Sequence, residues 1–383
     1  MHDVAIVGAG PVGATLALAL AGQGLDVLAL DARPPHETLR GDRSIALAHG
    51  SRLILERVGV WPRLAAVDGA VTAIAEIDVS QAGGFGVTRL RAREHGVEAL
   101  GHVVSYVALQ RALDDALVAA GVPVRFGASV ASVDGGAAQA RIVVAGDAEP
   151  VEARVVAVAD GAGAAVAGIA RERHDYRQNA LVAPVWRDTP HRGVAYERFT
   201  PAGPIALLPE RDHYGLVWTL PPERTAPLLA LDEAAFLAQL AHAFGSRVTG
   251  FVRAGARRAF PLALERARPL TAPRVAVVGN AAQQLHPVAG QGFNLGLRDA
   301  WELAQAILDA GPASLGEPAM LARYAARRRA DRLSGIAFTH GLVGVFGADL
   351  PLLRLSRGVG LALLDVFPPA KRAFAQAMMF GLR

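Results

Sequence analysis

The residues best suited to chemistry cluster between positions 275 and 300. A short apolar strand, Val275 to Val278, runs into Gly279 and Asn280, where a backbone can approach a ligand closely. His286-Pro287 then imposes an extended turn, because the residue before a proline is driven out of the helical region. Gly290, Gln291 and Gly292 follow, and Phe293, Leu297, Trp301, Ala304 and Leu308 recur at helical spacing. A glycine-rich loop that opens a helix presents free N–H groups and the positive end of the helix dipole. Such a loop suits an anion or the electron-rich edge of a ring. The bland alternative is a loop that only joins a strand to a helix.

A second motif at the other end of the chain argues against the bland alternative. Val4 to Val7 reads as a strand, Gly8-Ala9-Gly10-Pro11-Val12-Gly13 as a turn, and Ala14 to Ala21 as a helix. Val27 to Leu30 is a second strand, tipped by Asp31. This is a dinucleotide fingerprint in its strand–turn–helix context. Gly8 makes the turn, Gly10 admits a pyrophosphate, and Gly13 lets helix and strand pack closely. Asp31 stands eighteen residues after Gly13, where a carboxylate accepts hydrogen bonds from a ribose. Arg33 could lie along an adenine or its phosphate, or be a solvated loop residue. A third loop, Ala159-Asp160-Gly161, closes the strand Val155 to Val158. Gly161 and Gly163 do not make a second dinucleotide site, because neither a third glycine nor an acid-tipped strand follows.

The elements that must position these loops read as an α/β chain with an insertion. Ser51 to Val58 and Leu109 to Ala120 are predicted helices. Val71 to Arg91 alternates like strands about a Gly83-Gly84 turn, and Pro123 to Val133 gives two short strands. Arg141 to Val158 reads as a hairpin. Four alternating runs between residues 180 and 220 read as a sheet, followed by an amphipathic helix from Asp232 to Phe244. We expect a discontinuous dinucleotide domain at 1–70, 101–175 and 270–330, a sheet domain at 71–100 and 176–269, and an apolar helical region at 331–383.

Composition narrows the chemistry. There is no cysteine, so disulfides, thiolate nucleophiles and thiolate metal sites are impossible. We find no metal triad, nucleophile elbow or hydrolase carboxylate pair, so a cofactor must carry the reaction. Net charge is +4, and Lys371 is the only lysine. The arginines are scattered and no nucleic-acid module is present, which argues against nucleic acid as a partner. Val4 to Leu25 is uncharged and long enough to imitate a membrane span, but its glycines fall where the dinucleotide loop needs them.

These motifs resemble the flavin-dependent aromatic hydroxylases, the single-component FAD monooxygenases of the p-hydroxybenzoate hydroxylase type. That family usually carries Gly-Asp-Ala-Ala-His where this chain has Gly279-Asn280-Ala281-Ala282-Gln283. The variant run, with Leu285-His286-Pro287 and Gly290-Gln291-Gly292-Phe293-Asn294, is similar to the ubiquinone-biosynthesis hydroxylases acting on polyprenyl phenols. Asp42-Arg43, Gly59-Val60-Trp61 and the stretch from Tyr324 onward are similar too, so the likeness spans essentially the whole chain.

The resemblance implies a Rossmann-like FAD-binding domain with an inserted β-sheet substrate domain and C-terminal helices. It implies FAD, with NAD(P)H as a transient electron donor and O₂ as co-substrate; the flavin C4a-hydroperoxide would hydroxylate a polyprenylated phenol. By the same likeness, Arg43 faces the flavin, Gln110 reaches its phosphate side and the Val130 backbone touches adenine. Ala32, Asp160 and Pro287 are further cofactor positions, and Gly290 to Asn294 face the pyrimidine edge. His286 could touch or deprotonate the phenol, or simply shape the turn. The alternatives are an FAD hydroxylase of a small phenol, and a non-catalytic FAD-binding subunit of a quinone-biosynthesis complex. A halogenase is disfavoured, since Trp218 stands alone and no lysine precedes Lys371.

From Ile336 to Phe367 the chain carries Phe338, Leu342, Val343, Phe346, Leu350, Leu352, Leu353, Leu355, Leu361, Leu363, Leu364 and Phe367. This reads either as a helical pair packed on the FAD domain or as an interfacial surface. With a membrane-embedded substrate, we expect a cytoplasmic protein held peripherally at the inner face of the membrane, within a quinone-biosynthesis complex.

Overall fold

A computed structural model describes residues 1–34, 42–161, 163–347 and 351–382. Side chains at 289, 340, 342–347 and 351–354 are outside the description. Among the tail residues named above, Leu342, Val343, Phe346, Leu352 and Leu353 are in that group, and Leu350 lies outside the described residues.

The first sheet is built on His2–Val7. It pairs in parallel with Val27–Asp31 on one side and Val151–Val158 on the other, with Val4 opposite both Val27 and Val155. Val124–Phe126 extends one edge, and Val275–Val277 joins Val151–Val158 in parallel. Val4, Ala5, Ile6, Val155, Val156 and Ala157 are fully buried, as expected of parallel strands covered on both faces. One cover is helical, and its apolar residues come from Pro11–Leu20, Tyr106–Ala119 and Gln291–Ala310. The hairpin expected before Asp160 forms, Ala140–Val144 pairing antiparallel with the start of Val151–Val158.

The second sheet is mixed. Its long strands, Ala170–Arg187 and Arg258–Arg268, pair along most of their length. Next come His213–Leu220, Gly203–Glu210, Val194–Thr200, Glu76–Gln81 and Val87–Arg91, in that order. The chain changes sheets at Ala75. Val71–Ile74 joins a separate three-stranded sheet with Ser44–Ala48 and the central Gly101–Ser105. Only the residues after Ala75 reach the large mixed sheet, so the run 71–91 serves two layers rather than one.

The helix expected from Ala319 to Ile336 runs further, Pro318–Gly347, because no proline or exposed loop interrupts it before Gly347. Pro351–Val366 and Pro368–Phe380 follow. Pro351–Val366 docks on the strand Val87–Arg91. Gly358 and Gly86 touch backbone to backbone, so a Cβ on Gly86 would lie 2.2 Å from the Gly358 carbonyl oxygen. Thr88 Oγ1 donates to Leu361 O at 2.6 Å, and Arg89 N donates to Asp365 Oδ1 at 3.0 Å.

Candidate functional site

The N-terminal turn separates two kinds of glycine. A Cβ on Gly13 would sit 1.9 Å from the Gly8 carbonyl oxygen, so helix and strand meet there without room for a side chain. Gly8 itself has φ +96°, a conformation that favours glycine. Gly10 is different: a Cβ there would meet no protein atom within 4 Å. It faces an open groove of about 440 Å³. The groove is walled at one end by Gly8, Gly10, Pro11 and Val12, and at the other by Gly279, Asn280, Gly292 and Phe293. Asp31, Ala32, Arg33, Arg43, Val130 and Asp160 also border it.

Asp31 is buried at the strand tip. Its Oδ2 accepts from Ala9 N at 2.7 Å, and its Oδ1 accepts from Arg33 N at 2.8 Å and Arg33 Nε at 3.1 Å. Arg33 also reaches Asp114 and lies over the Phe126 ring. Gln110 is fully buried beneath the turn rather than in the groove wall. Its amide nitrogen donates to Ala9 O at 3.0 Å and Asp114 Oδ1 at 2.8 Å, while its amide oxygen has no hydrogen-bond partner. Arg43 stacks over Tyr106 at 4.4 Å, and both border the groove. Gly161, from the third loop, also borders the groove, as do Tyr106 and Gly296, which no motif singled out. Gly296 is required by close packing: a Cβ there would lie 3.0 Å from Gly279 Cα.

The groove fits a flavin dinucleotide. Gly10 leaves space that any side chain would fill, and the helix beginning at Pro11 offers first-turn N–H groups that have no intrahelical acceptor. Gly8, Gly10, Pro11 and Val12 would hold the pyrophosphate, Asp31 and Arg33 the adenosine end, and Gly292 with Phe293 the ring end.

The same helix start borders a second space. Gly290, Gln291 and Asn294, with Pro287, line an apolar cavity of about 300 Å³ under the mixed sheet. Gly290 adopts φ +60° and caps the helix Gln291–Ala310. Asn294 holds this loop to the strand Ser44–Ala48: its amide oxygen accepts from Ala48 N at 2.8 Å, and its amide nitrogen donates to Ala46 O and Gly290 O. The cavity's other walls are Ile77, Val79 and Leu90, and from the C-terminal helices Phe338, Leu361, Leu364 and Met378. Glu197 is the one carboxylic acid on the described wall, and burial pushes its pKa up to about 8. Glu197 has intermediate accessibility, because it borders this cavity. Sequence reading missed Glu197, since nothing in a strand pattern reveals which face meets a void.

His286 lines neither space. It is fully buried, its Nδ1 accepts from Val288 N at 3.1 Å, and its Nε2 has no hydrogen-bond partner. Its ring meets Tyr176 edge-on at 5.2 Å, and burial lowers its pKa to about 4. Behind the loop, Gly279 N and the Gln283 amide donate to Asp299, which also binds the buried Arg328.

Groove, glycine loop and roofing sheet define a flavin monooxygenase fold. The chain belongs to the FAD binding domain family, whose model matches residues 1–333. It is similar to the ubiquinone hydroxylase UbiL of Rhodospirillum rubrum, 36% identical over 100% of this chain and 90% of that protein. The 3-demethoxyubiquinol 3-hydroxylase of Escherichia coli is 32% identical over 99% of this chain and 98% of its own. Among solved structures, p-nitrophenol 4-monooxygenase PnpA from Pseudomonas putida DLL-E4 superposes with a TM-score of 0.78 at 18% identity, covering 100% of this chain and 99% of that one. PqsL of P. aeruginosa gives 0.74 at 22% identity, over 94% and 99%. The chain is an FAD-dependent aromatic hydroxylase.

Proposed function

We propose that the chain hydroxylates the aromatic ring of a polyprenylated phenol in ubiquinone biosynthesis. The observation that carries this reading is the double use of one helix start. Gly292 and Phe293 border the FAD groove, while Gly290, Gln291 and Asn294 border the apolar cavity. A ring held in the cavity therefore lies against the loop that holds the cofactor ring. FAD reduced by NAD(P)H supplies the activation of O₂ and the transfer of one oxygen atom. The protein's part is to orient the two rings and to keep water out, which the apolar walls favour. Arg43 lies over Tyr106 on the groove border, which supports a contact with the cofactor there.

A polyprenyl tail costs about 0.8 kcal/mol per CH₂ to draw into water. The helix Pro351–Val366 offers a way around that cost. Leu361 and Leu364 line the cavity, while Leu355, Val359 and Leu363 are exposed at four-residue spacing on its outer side. We take this outer face as a peripheral membrane contact at the inner leaflet, where a quinone-biosynthesis complex would also assemble. Among the described residues no helix is long and apolar enough to cross a membrane. The relatives' printed activities support the substrate class. The test is NAD(P)H oxidation with and without a prenylated phenol, with the product identified by mass spectrometry. Oxidation without a hydroxylated product would point to a different substrate or a non-catalytic subunit.

A further inference from the structure

Every polar residue bordering the described cavity wall except Glu197 meets the protein itself, including Tyr196, whose ring turns to Tyr214 on the other side of the sheet. Asn294 makes three hydrogen bonds to backbone, and Thr88 donates to Leu361 O. Gln291 reaches Met378 Sδ. Glu197 makes no hydrogen bond or ion pair among the described residues. It sits in the middle of the strand Val194–Thr200, opposite Val79 on one neighbour and Ala206 on the other, and all three side chains face the cavity. A lone carboxyl in an apolar chamber is costly unless something else meets it there.

Among the described residues no other charge on the packed elements faces it. On its own strand and the next, Tyr196, Arg198, Asp78 and Ser80 alternate onto the opposite side of the sheet. There Asp78 is held by Arg89 and Arg247, and Arg198 donates to Ser80. Gly203–Glu210 ends on Glu210, which is bound to Ser44 and His213. The helix Pro318–Gly347 brings Phe338 to the wall. Beyond the wall Lys371 is taken up by Glu94 and Asp365.

We propose that Glu197 is the catalytic base that takes the proton of the substrate's phenol hydroxyl as the ring is hydroxylated. This rests on the cavity being the substrate site. The phenol O–H bond breaks, the proton forms a new O–H bond on the Glu197 carboxylate, and the electron pair stays on the phenol oxygen, enriching the ring carbons ortho and para to it. The proton leaves with the next exchange of product for substrate. Burial raises the carboxyl into the range where it can both accept and release a proton near neutral pH, as efficient acid–base catalysis requires.

The experiment uses the FAD-loaded full chain and a short-tailed phenol. Wild-type hydroxylation should rise with pH through an apparent pKa near 8. Glu197→Gln keeps size and hydrogen-bonding capacity but cannot accept the proton. Its kcat should fall roughly 100-fold or more, and the pH-dependent limb should vanish, while KM changes only a few-fold. Glu197→Asp should restore part of the limb. A merely structural Glu197 would alter stability or KM and leave the pH limb in place, and that result overturns the inference. Ala206→Phe, beside Glu197, and, as a second blocker one strand further away, Val217→Phe fill the cavity without changing Glu197 itself. If either folded, FAD-loaded variant binds the phenol as wild type does, the cavity reading itself fails. If both lose binding while Glu197→Gln keeps the wild-type pH profile, the cavity stands and the role of Glu197 falls.

Discussion

Gln283 Nε2 donates to Asp299 Oδ2 at 2.7 Å, and that same carboxylate oxygen accepts from Gly279 N at 3.1 Å. One buried acid thus ties both ends of the short turn 279–283 to the helix that begins at Gln291. Its other oxygen accepts from Arg328 Nε at 2.6 Å, and Arg332 Nε donates to the Gln283 amide oxygen at 2.8 Å. An amide serves at Gln283 because it donates and accepts at once without adding charge.

Removing the acid should therefore be expensive. Asp299→Ala leaves Arg328, 3% exposed, with Asp331 as its remaining partner and frees Gly279 N. The expected loss is ~3–5 kcal/mol of stability by urea denaturation, with weaker FAD retention because Gly279 borders the groove. A loss of no more than about 1 kcal/mol, that of a typical substitution, would mean that the network is dispensable.

The strand–turn–helix frame of this site is legible in the sequence. The Gly8-Gly10-Gly13 turn and Asp31 mark a strand–helix–strand unit because each glycine answers a local steric demand that sequence records. The same holds for Gly290 and the helix after it. Glu197, Tyr106 and the change of sheet at Ala75 were not legible, because each depends on which strands become neighbours. Alternation tells which residues share a face, but not that Val79, Glu197 and Ala206 face one void. Gln110 and His286 lie next to the loops they were expected to serve, yet point behind them; spacing along a chain does not distinguish the two sides of a turn.

The two glycine classes predict opposite outcomes for the same substitution. Gly13→Ala should destabilise the protein outright, since its methyl would overlap the Gly8 carbonyl. Gly10→Ala meets no protein atom, so thermal stability of the FAD-free chain should stay near wild type while FAD affinity drops at least tenfold. Equal FAD affinity in Gly10→Ala and wild type, by fluorescence titration, would remove Gly10 from the cofactor wall.

Asn280 is exposed and borders the groove. Asn280→Asp adds an anion without changing size, and an anion opposes building negative charge on a reduced cofactor ring. Flavin content should persist and the reduction potential should move to more negative values. A potential that stays put or rises, measured by dye-coupled titration, would place Asn280 away from the ring.

His286, fully buried, and Glu197, on the cavity wall, should give stability opposite pH slopes. The ordinary pKa of His286, 6.5, falls to about 4 in the folded chain, so unfolded chains bind its proton first. Its contribution is present above pH 6.5 and is lost as pH falls toward 4. Glu197 rises from 4.5 to about 8, so the folded chain holds the extra proton, and stability declines as pH rises through that window. Each slope is at most ~1.4 kcal/mol per pH unit, less where cavity water screens the group. Glu197→Gln should therefore raise the melting temperature more at pH 8 than at pH 5. A uniform shift at both pH values would show that Glu197 is not protonated by folding.

The helix Pro351–Val366 has two working faces, and they can be separated. Its inner residues Leu361 and Leu364 are cavity wall, together with Phe338, Met378 and Met379 from the helices on either side. Deleting the chain beyond Leu333 would remove that wall, so it would confound membrane contact with loss of the chamber. Substituting only the outer stripe avoids this. Leu355, Val359 and Leu363 are 55%, 41% and 58% exposed, and Val366 and Phe367 continue the stripe at 73% and 57%. Serine at the first three positions removes apolar area worth roughly 2 kcal/mol per leucine in a lipid interface, while leaving the contacts of Gly358, Leu361 and Asp365 with the sheet untouched. The triple variant should keep its FAD and hydroxylate a short-tailed phenol at the wild-type rate. It should lose flotation with anionic liposomes and turn over a long-tailed phenol in those liposomes at least tenfold more slowly. Undiminished flotation would assign this exposed stripe to something other than the bilayer.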